Sequence, residues 1–450
     1  MFDSIMMMVG IVIGSGIFLT TGLIAQDIPS SSLILLVWMI GGIIVLTGAL
    51  TYAELGASLP HAGGQYVYLK EAYGSLYGFL FGWKMFLVSM SGSIAALGIG
   101  FAVYLSYFFQ IISFENYVFV YNLSDSFSIS LSTGQIAAVF IIIVLSLLNY
   151  LGVVYGKVIQ NMLTSVKIFT LLVFILFGIY ASLGNSADFT FVPELPDFGI
   201  GRIIVGLGIA LIAVSWAFDG WNNINYIAGE IKDPKRNLTA ALVLGTLIIT
   251  SLYVLVNFVY VRALSVEEMS GVVRIAEKSA TTLFGDFSAG LLSAAILISI
   301  VGALNGTIFV GPRVYYAMAK DGLFFKKVAE IHPKYGTPAF GLVLQAVWSA
   351  ILALTGTYEQ LFTFAMFVGI LFWIGAAGAV FTLRKKQPDL SRPYKTWGYP
   401  YTPIIFIISL SLVLVNAVIE KPIESLSGIL FTLIGIPVFY YWRNKSKPVN

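Results

Sequence analysis

The chain alternates long apolar runs with short polar segments, and most runs reach the roughly 20 residues that a helix needs to cross a bilayer. With 58% apolar residues, the chain exceeds the apolar content of a soluble domain. The runs predict twelve membrane-spanning helices, at 5–26, 33–58, 76–110, 135–155, 158–183, 202–227, 238–261, 286–316, 339–356, 360–383, 400–419 and 424–442. The pattern therefore indicates an all-α membrane protein that forms a single transmembrane domain over residues 1–450.

The distribution of basic residues orients these spans. If twelve helices cross the membrane, both termini lie on one side, and 18 of the 25 Lys and Arg residues fall in the loops of that side. Five fall on the other side, and two, Lys84 and Lys167, lie inside spans. Because basic residues are retained in the cytoplasm, this segregation predicts a multi-pass plasma-membrane protein with both termini cytoplasmic.

The first span carries an interruption at Gly14-Ser15-Gly16. Each glycine costs roughly 1 kcal/mol relative to alanine inside a helix, and serine competes with the helix for backbone hydrogen bonds. A break at this depth must line a cavity, because backbone groups in the hydrocarbon region need partners. A small-residue packing face between helices is the alternative interpretation of this stretch on its own.

The sixth span carries a second interruption, from Trp216 to Asn223, which contains an Asp, a Gly and two Asn residues. Two broken helices at matching places in two halves are typical of the leucine-transporter fold, in which the substrate lies between them. We therefore expect a 5+5 inverted repeat with discontinuous helices 1 and 6. Residues 1–183 and 202–383 are the predicted repeats, and 400–442 supplies two additional helices.

The two interruptions together predict the substrate site. Free amides at Gly14, Ser15 and Gly16 can bind a carboxylate, and carbonyls freed near both breaks can accept an ammonium group. Those carbonyls belong to Val12, Ile13, Trp216, Ala217 and Asp219, and Phe218 and Gly220 complete the predicted substrate-binding set. Such pairing suits the zwitterionic head of an amino acid. Asp219 is either a binding residue or a cap for freed amides, and Trp216 is either a gate over the ligand or a packed aromatic.

Three charged residues inside spans require partners. Lys167 in the fifth span is expected to contact the carbonyl end of the first break near Gly14, where a sodium ion could otherwise sit. A neutral, proton-carrying lysine and a side chain that reaches the cytoplasmic interface are the alternatives. Glu54 is expected to pair with Lys84 or with the 61–68 loop, in a structural or gating role.

The residues and motifs that the chain lacks disfavour several classes of function. It has no cysteine and only two histidines, so we expect no disulfide, no metal site and no cofactor. No Walker A sequence or nucleophile–base pair is evident, which disfavours an ATP-driven pump and an enzyme. The expected partners are an amino acid substrate and membrane lipid, and not nucleic acid.

Several motifs resemble those of the L-type amino acid transporter family, within the amino acid–polyamine–organocation superfamily. They are Gly14 to Phe18, Tyr52 to Gly56, Gly63 to Tyr66, Phe218 to Asn222, and Glu230 to Leu238, followed by Asn305-Gly306, Arg313, Asp321-Gly322, Pro338 and Arg392-Pro393. The resemblance covers nearly the whole chain and implies a prokaryotic-type member. It implies Lys167 as the family's span-five lysine and Trp216 as the occluding aromatic, where Phe is usual.

The resemblance also implies a function. It suggests a secondary transporter that moves neutral L-amino acids by alternating access, through sodium-independent exchange or facilitated transport. Animal relatives join a heavy chain through a cysteine after span three, and without that cysteine no disulfide-linked partner is expected. A proton-coupled symporter, a polyamine or cationic amino acid transporter, and a membrane amino acid sensor remain as alternatives.

Overall fold

A computed structural model describes residues 1–28, 30–124, 127–152, 156–182, 200–355 and 358–445. The described chain is dominated by helices. In chain order they are α1 (Phe2–Val12), α2 (Gly16–Asp27), α3 (Ser31–Ser58), α4 (Gln65–Tyr73), α5 (Ser75–Lys84), α6 (Met90–Leu105), α7 (Thr133–Tyr150), α8 (Gly156–Ser182), α9 (Ile200–Ala217), α10 (Pro234–Ala263), α11 (Val266–Met269), α12 (Ile275–Phe284), α13 (Asp286–Lys320), α14 (Ala339–Thr355), α15 (Tyr358–Lys386), α16 (Tyr401–Glu420), α17 (Pro422–Leu433) and α18 (Gly435–Lys445).

Other elements interrupt this helical order. A π-helical turn, Met85–Ser89, joins α5 to α6, and 3-10 turns form at Asn223–Glu230 and Lys326–Ala329. Between α6 and α7 the chain forms an antiparallel hairpin of β1 (Tyr117–Ser124) and β2 (Phe127–Ser132). The prediction of a purely helical chain missed this hairpin, whose residues alternate apolar and polar side chains only over a short stretch.

The described residues include nine helices long and apolar enough to cross a membrane. Helices α1 and α2 meet at an angle of 42° across the first break. If this bent pair is counted as one span, the total among these residues is ten. Two shorter apolar helices, Ile203–Ala217 and Ala339–Thr355, correspond to the predicted sixth and ninth spans. The predicted fold class, a membrane protein built mainly of apolar helices, is therefore confirmed, whereas the total of twelve spans and the inverted repeats stay predictions. The ends of the predicted fourth and fifth spans, 153–155 and 183, lie outside the described residues.

The helices place both interruptions in the protein interior. Helix α1 packs against α8, α10 and α13, and α2 packs against α9. Apolar side chains around the breaks, such as Ile13, Ile17 and Phe218, are almost completely buried. The resulting core surrounds two short non-helical segments with helices. In such a setting, backbone groups without helical partners can persist inside a membrane, because protein and not lipid surrounds them.

Candidate functional site

The first break separates α1 from α2 at Ile13, Gly14 and Ser15. All three residues are buried. Among the described residues, the backbone amides of Gly14 and Ser15 donate no hydrogen bond. Both amides therefore remain available at the N-terminal end of α2, where the helix dipole favours an anion.

The second break begins where α9 ends at Ala217. Gly220 adopts a φ of 93°, a left-handed conformation that is unstrained only for glycine. A Cβ atom at Gly220 would also lie 2.6 Å from Ile11 of α1, so the segment passes close to the first broken span. The chain then continues as the 3-10 turn Asn223–Glu230 instead of resuming an α-helix.

The two breaks touch at Gly16 and Ala217. A Cβ atom added to Gly16 would lie 2.5 Å from the Cα of Ala217, far inside van der Waals contact. Only glycine therefore permits this approach of α2 to the end of α9. Leu97 of α6 and Ala303 of α13 lie against Gly14 from the other side, at 3.0 and 3.2 Å from its Cβ position.

Tyr253 of α10 ties the two breaks together. Its buried hydroxyl lies 3.0 Å from the carbonyl oxygen of Val12 and 3.0 Å from that of Ala217. A hydroxyl has one hydrogen, so it donates fully to only one of the two carbonyls at a time. The sequence analysis did not identify Tyr253, since an isolated tyrosine in an apolar span carries no signal of its partners.

Four of the five carbonyls predicted to receive an ammonium group already accept hydrogen bonds. Tyr253 engages Val12 and Ala217, the amide of Asp219 donates to Trp216 at 2.9 Å, and Ile13 accepts from two side chains. These carbonyls therefore have partners already, and their predicted role as acceptors for a substrate ammonium group stays a prediction. Each carbonyl oxygen has a second lone pair, so an ammonium group would share or displace these donors.

Lys167 of α8 binds the carbonyl end of the first break. Its Nζ donates to the carbonyl oxygens of Gly10 at 2.7 Å and Ile13 at 2.9 Å. The side chain is 1% exposed, so it does not extend to the membrane interface. Ser299 of α13 also donates to Ile13, at 3.1 Å. The ammonium group thus occupies the position at which helix α1 leaves its carbonyls unpaired.

Trp216 lies above the breaks in a cluster with two aromatic residues of α15. Its Nε1 donates to the Tyr358 hydroxyl at 2.7 Å, and its indole stacks on Phe362 with ring centroids 5.8 Å apart. The Tyr358 hydroxyl also lies 3.1 Å from Oγ of Ser15. Tyr358 was missed by the sequence analysis, and it links a residue of each break.

Among the described residues, no hydrogen bond joins the Asp219 carboxylate to the amides of the first break. Its carboxylate accepts a hydrogen bond from Ser93 of α6 at 2.8 Å. This contact fixes the second break against α6. Phe218 packs edge-on against Tyr253, with ring centroids 5.1 Å apart. Contacts of Tyr253 and Tyr358 therefore join residues of the two breaks, Val12 with Ala217 and Ser15 with Trp216. That the ten predicted residues form one substrate site stays a prediction.

Glu54 does not pair as expected. Its carboxylate accepts two hydrogen bonds from Arg384, at 2.8 and 2.6 Å, and one from the amide of Thr396 at 2.7 Å. The expected pairing with Lys84 is wrong, because the ammonium group of Lys84 lies over the rings of Phe81 and Phe372. Glu54 instead joins α3 to the end of α15.

This geometry, two broken helices that meet inside a bundle of apolar helices, is that of a multi-pass membrane transporter. Comparison with known proteins is more specific. The profile of the amino acid permease family matches residues 1–439, and the chain belongs to that family, within the amino acid–polyamine–organocation superfamily and its L-type branch.

Individual relatives match over almost the whole chain. The chain is 32% identical to the serine/threonine exchanger SteT of Bacillus subtilis (strain 168), over 98% of the chain and 95% of that protein. It is 30% identical to the mouse b(0,+)-type amino acid transporter 1, over 100% of the chain and 90% of the relative. It is 29% identical to the human large neutral amino acids transporter small subunit 2, over 98% and 79% respectively. The family assigned by resemblance is confirmed.

Proposed function

We propose that this protein exchanges neutral L-amino acids across the plasma membrane without sodium, by alternating access around the two breaks. The observation that carries the proposal is that the buried amides of Gly14 and Ser15, unpaired within the described chain, directly follow Ile13, whose carbonyl oxygen accepts a hydrogen bond from the ammonium group of Lys167. The relatives, among them a serine/threonine exchanger and a large neutral amino acids transporter, support the substrate class.

The substrate's carboxylate binds the amides of Gly14, Ser15 and Gly16, at the positive end of α2. Its ammonium group binds the carbonyls of Ala217 and Asp219 beyond the end of α9. Backbone groups thus recognise what every L-amino acid shares, and the surrounding side chains select the substrate's own side chain. Val12, Trp216, Phe218 and Gly220 form the walls of this site.

Lys167 supplies a fixed positive charge where another carrier of this fold would bind sodium. Because its Nζ already satisfies Gly10 and Ile13, the end of α1 needs no metal ion. The transporter can then reorient without a coupling ion. A proton-coupled cycle is the second candidate, since a lysine that is 1% exposed pays a large desolvation cost for its charge.

Trp216 closes the site on the side of Tyr358. Release of the 2.7 Å hydrogen bond between them lets the aromatic cluster open, while Phe362 keeps the indole stacked. The proposed topology puts both termini in the cytoplasm, so this gate faces outward.

The whole chain acts as one transport domain of two inverted repeats. It catalyses no covalent reaction, and it needs no cofactor or disulfide-linked heavy chain.

The test is transport by purified protein in liposomes. Labelled neutral, cationic and acidic amino acids and polyamines are offered to liposomes that contain unlabelled substrate or none. The proposal expects uptake of neutral amino acids that internal substrate accelerates, with choline in place of sodium. Uptake driven uphill by an imposed proton gradient would replace exchange with proton symport. Binding without any flux would instead indicate a sensor.

A further inference from the structure

A cavity of about 400 Å³ lies apart from the two breaks. Its lining includes Asn149, Gln160 and Asn305 at the buried end, and Asp3 and Lys232 toward the chain termini. We refer to it as the Gln160 cavity. None of residues 12–16 or 216–220 lines it, so it is separate from the central site. Its volume falls within the range of pockets that bind small molecules.

The buried end of this cavity contains side-chain amides without partners. Gln160 is 3% exposed, and neither its Nε2 nor its Oε1 has a hydrogen-bond partner among the described residues. Oδ1 of Asn149 is likewise unpartnered in the described part of the chain, while its Nδ2 donates to Oδ1 of Asn305 at 2.8 Å. A buried polar atom left unpaired costs about 1–3 kcal/mol, so this end of the cavity is suited to a ligand that supplies donors and acceptors.

The cavity ends directly beneath the Lys167 site. Nε2 of Gln160 lies 2.5 Å from the Cβ position of Gly10, whose carbonyl oxygen binds Lys167. Gln160 and Lys167 are seven residues apart on α8, which places them on one face of the helix about two turns apart. A molecule leaving the first break toward the termini therefore meets Gln160 within one or two helical turns.

We propose that the Gln160 cavity is a second binding site for the transported amino acid, at which the side chain of a polar neutral substrate bonds to Gln160 and Asn149. This inference rests on the proposed transport function. An amide offers both a donor and an acceptor, which matches the hydroxyl of serine or threonine or the amide of asparagine. The apolar side chain of alanine would leave both groups unpaired.

Charges in the outer part of the cavity complete the match to a zwitterion. The carboxylate of Asp3, which accepts a hydrogen bond from Asn161 at 2.8 Å, can also receive a substrate ammonium group. Lys232 supplies a cation for the substrate carboxylate, while Glu230, which also lines the cavity, is paired with Arg313 at 3.0 Å. Because the buried end has only neutral amides, a charged side chain would lose its hydration there without gaining an opposite charge. The site therefore selects neutral polar amino acids.

The experiment counts binding sites on the purified full-length protein by scintillation proximity. The probe is whichever of labelled serine, threonine and asparagine is exchanged fastest in liposomes, compared with labelled alanine. We expect two sites per chain for the polar probe and one for alanine. Gln160→Met, which keeps the side-chain length and removes the amide, should reduce the polar probe to one site. Gly16→Leu, which obstructs the first break, should leave only the Gln160 site.

Asn416→Leu is the matched control, because Asn416 of α16 also has an unpartnered Oδ1 in the described part of the chain but does not line the cavity. It should retain two sites. One site for the polar probe on the native protein, or two sites on Gln160→Met, would overturn the second site without affecting the proposed transport. Failure of every neutral amino acid to exchange in liposomes, leucine included, would instead overturn the proposed function. If Gln160→Met fails to fold, the native protein alone still tests the second site, because the polar probe should occupy two sites and alanine one.

Discussion

Replacing Gly16 with alanine tests the contact between the two breaks. The added methyl group would lie 2.5 Å from the Cα and 2.9 Å from the Cβ of Ala217, whereas ordinary contacts lie at 3.4–4 Å. Both of these atoms belong to Ala217, and they cannot rotate out of the way as the end of a long side chain can. The breaks must therefore separate by about 1 Å, which moves the amides of the first break away from a bound carboxylate. A hydrogen bond to a charged group contributes about 1.5–3 kcal/mol, so the loss of one lowers substrate binding by about 10- to 100-fold. We expect exchange to fall by about that factor.

The assay is the initial rate of exchange in liposomes, with a thermal unfolding measurement to confirm that the variant is folded. Gly369→Ala is the matched control, since Gly369 is also buried in a helix and the nearest atoms to its added Cβ lie at 3.8 and 3.9 Å. There alanine should gain up to about 1 kcal/mol of helix propensity and keep full exchange. A Gly16→Ala protein that exchanges at the native rate would refute the assignment of this contact to the substrate site.

Three further substitutions test single side chains, two beside the breaks and one in the ion pair between α3 and α15. Lys167→Ala should reduce exchange by about 10- to 100-fold, because the carbonyls of Gly10 and Ile13 lose hydrogen bonds from a charged group that contribute about 1.5–3 kcal/mol each. Full activity would reduce Lys167 to a packing residue. Trp216→Ala should admit larger substrates or allow leakage, measured with a panel of amino acids, and an unchanged panel would leave Trp216 as packing only. Glu54→Gln should lower the free energy of unfolding by about 3 kcal/mol, because it leaves the charge of Arg384 without its partner. A thermal unfolding temperature equal to that of the native protein would contradict the last expectation.

The interruptions could be predicted from sequence because their causes are local. Glycine and serine weaken a helix wherever they lie, and Gly220 has a φ that other residues rarely adopt. The position of Lys167 followed from the cost of burying a charge, which restricts its possible partners to unpaired carbonyls nearby. The roles of these residues in transport stay predictions.

Contacts between distant helices could not be predicted in the same way. Tyr253 lies 241 residues from Val12, and Tyr358 lies 343 residues from Ser15, so no local pattern links them. The same limit explains the incorrect pairing of Glu54, whose true partner Arg384 is 330 residues away. The short hairpin β1–β2 was missed because it is a small element within a chain of strongly apolar helices.

The most direct test of the account is sodium-independent exchange by the native protein. Purified protein is placed in liposomes that contain unlabelled serine or none, and uptake of labelled serine, threonine, asparagine and leucine is measured in choline buffer without a pH gradient. We expect that internal substrate accelerates uptake of at least one of these amino acids, and that adding sodium changes the rate little. Uptake that strictly requires sodium would contradict it, because Lys167 would not then take the place of the ion.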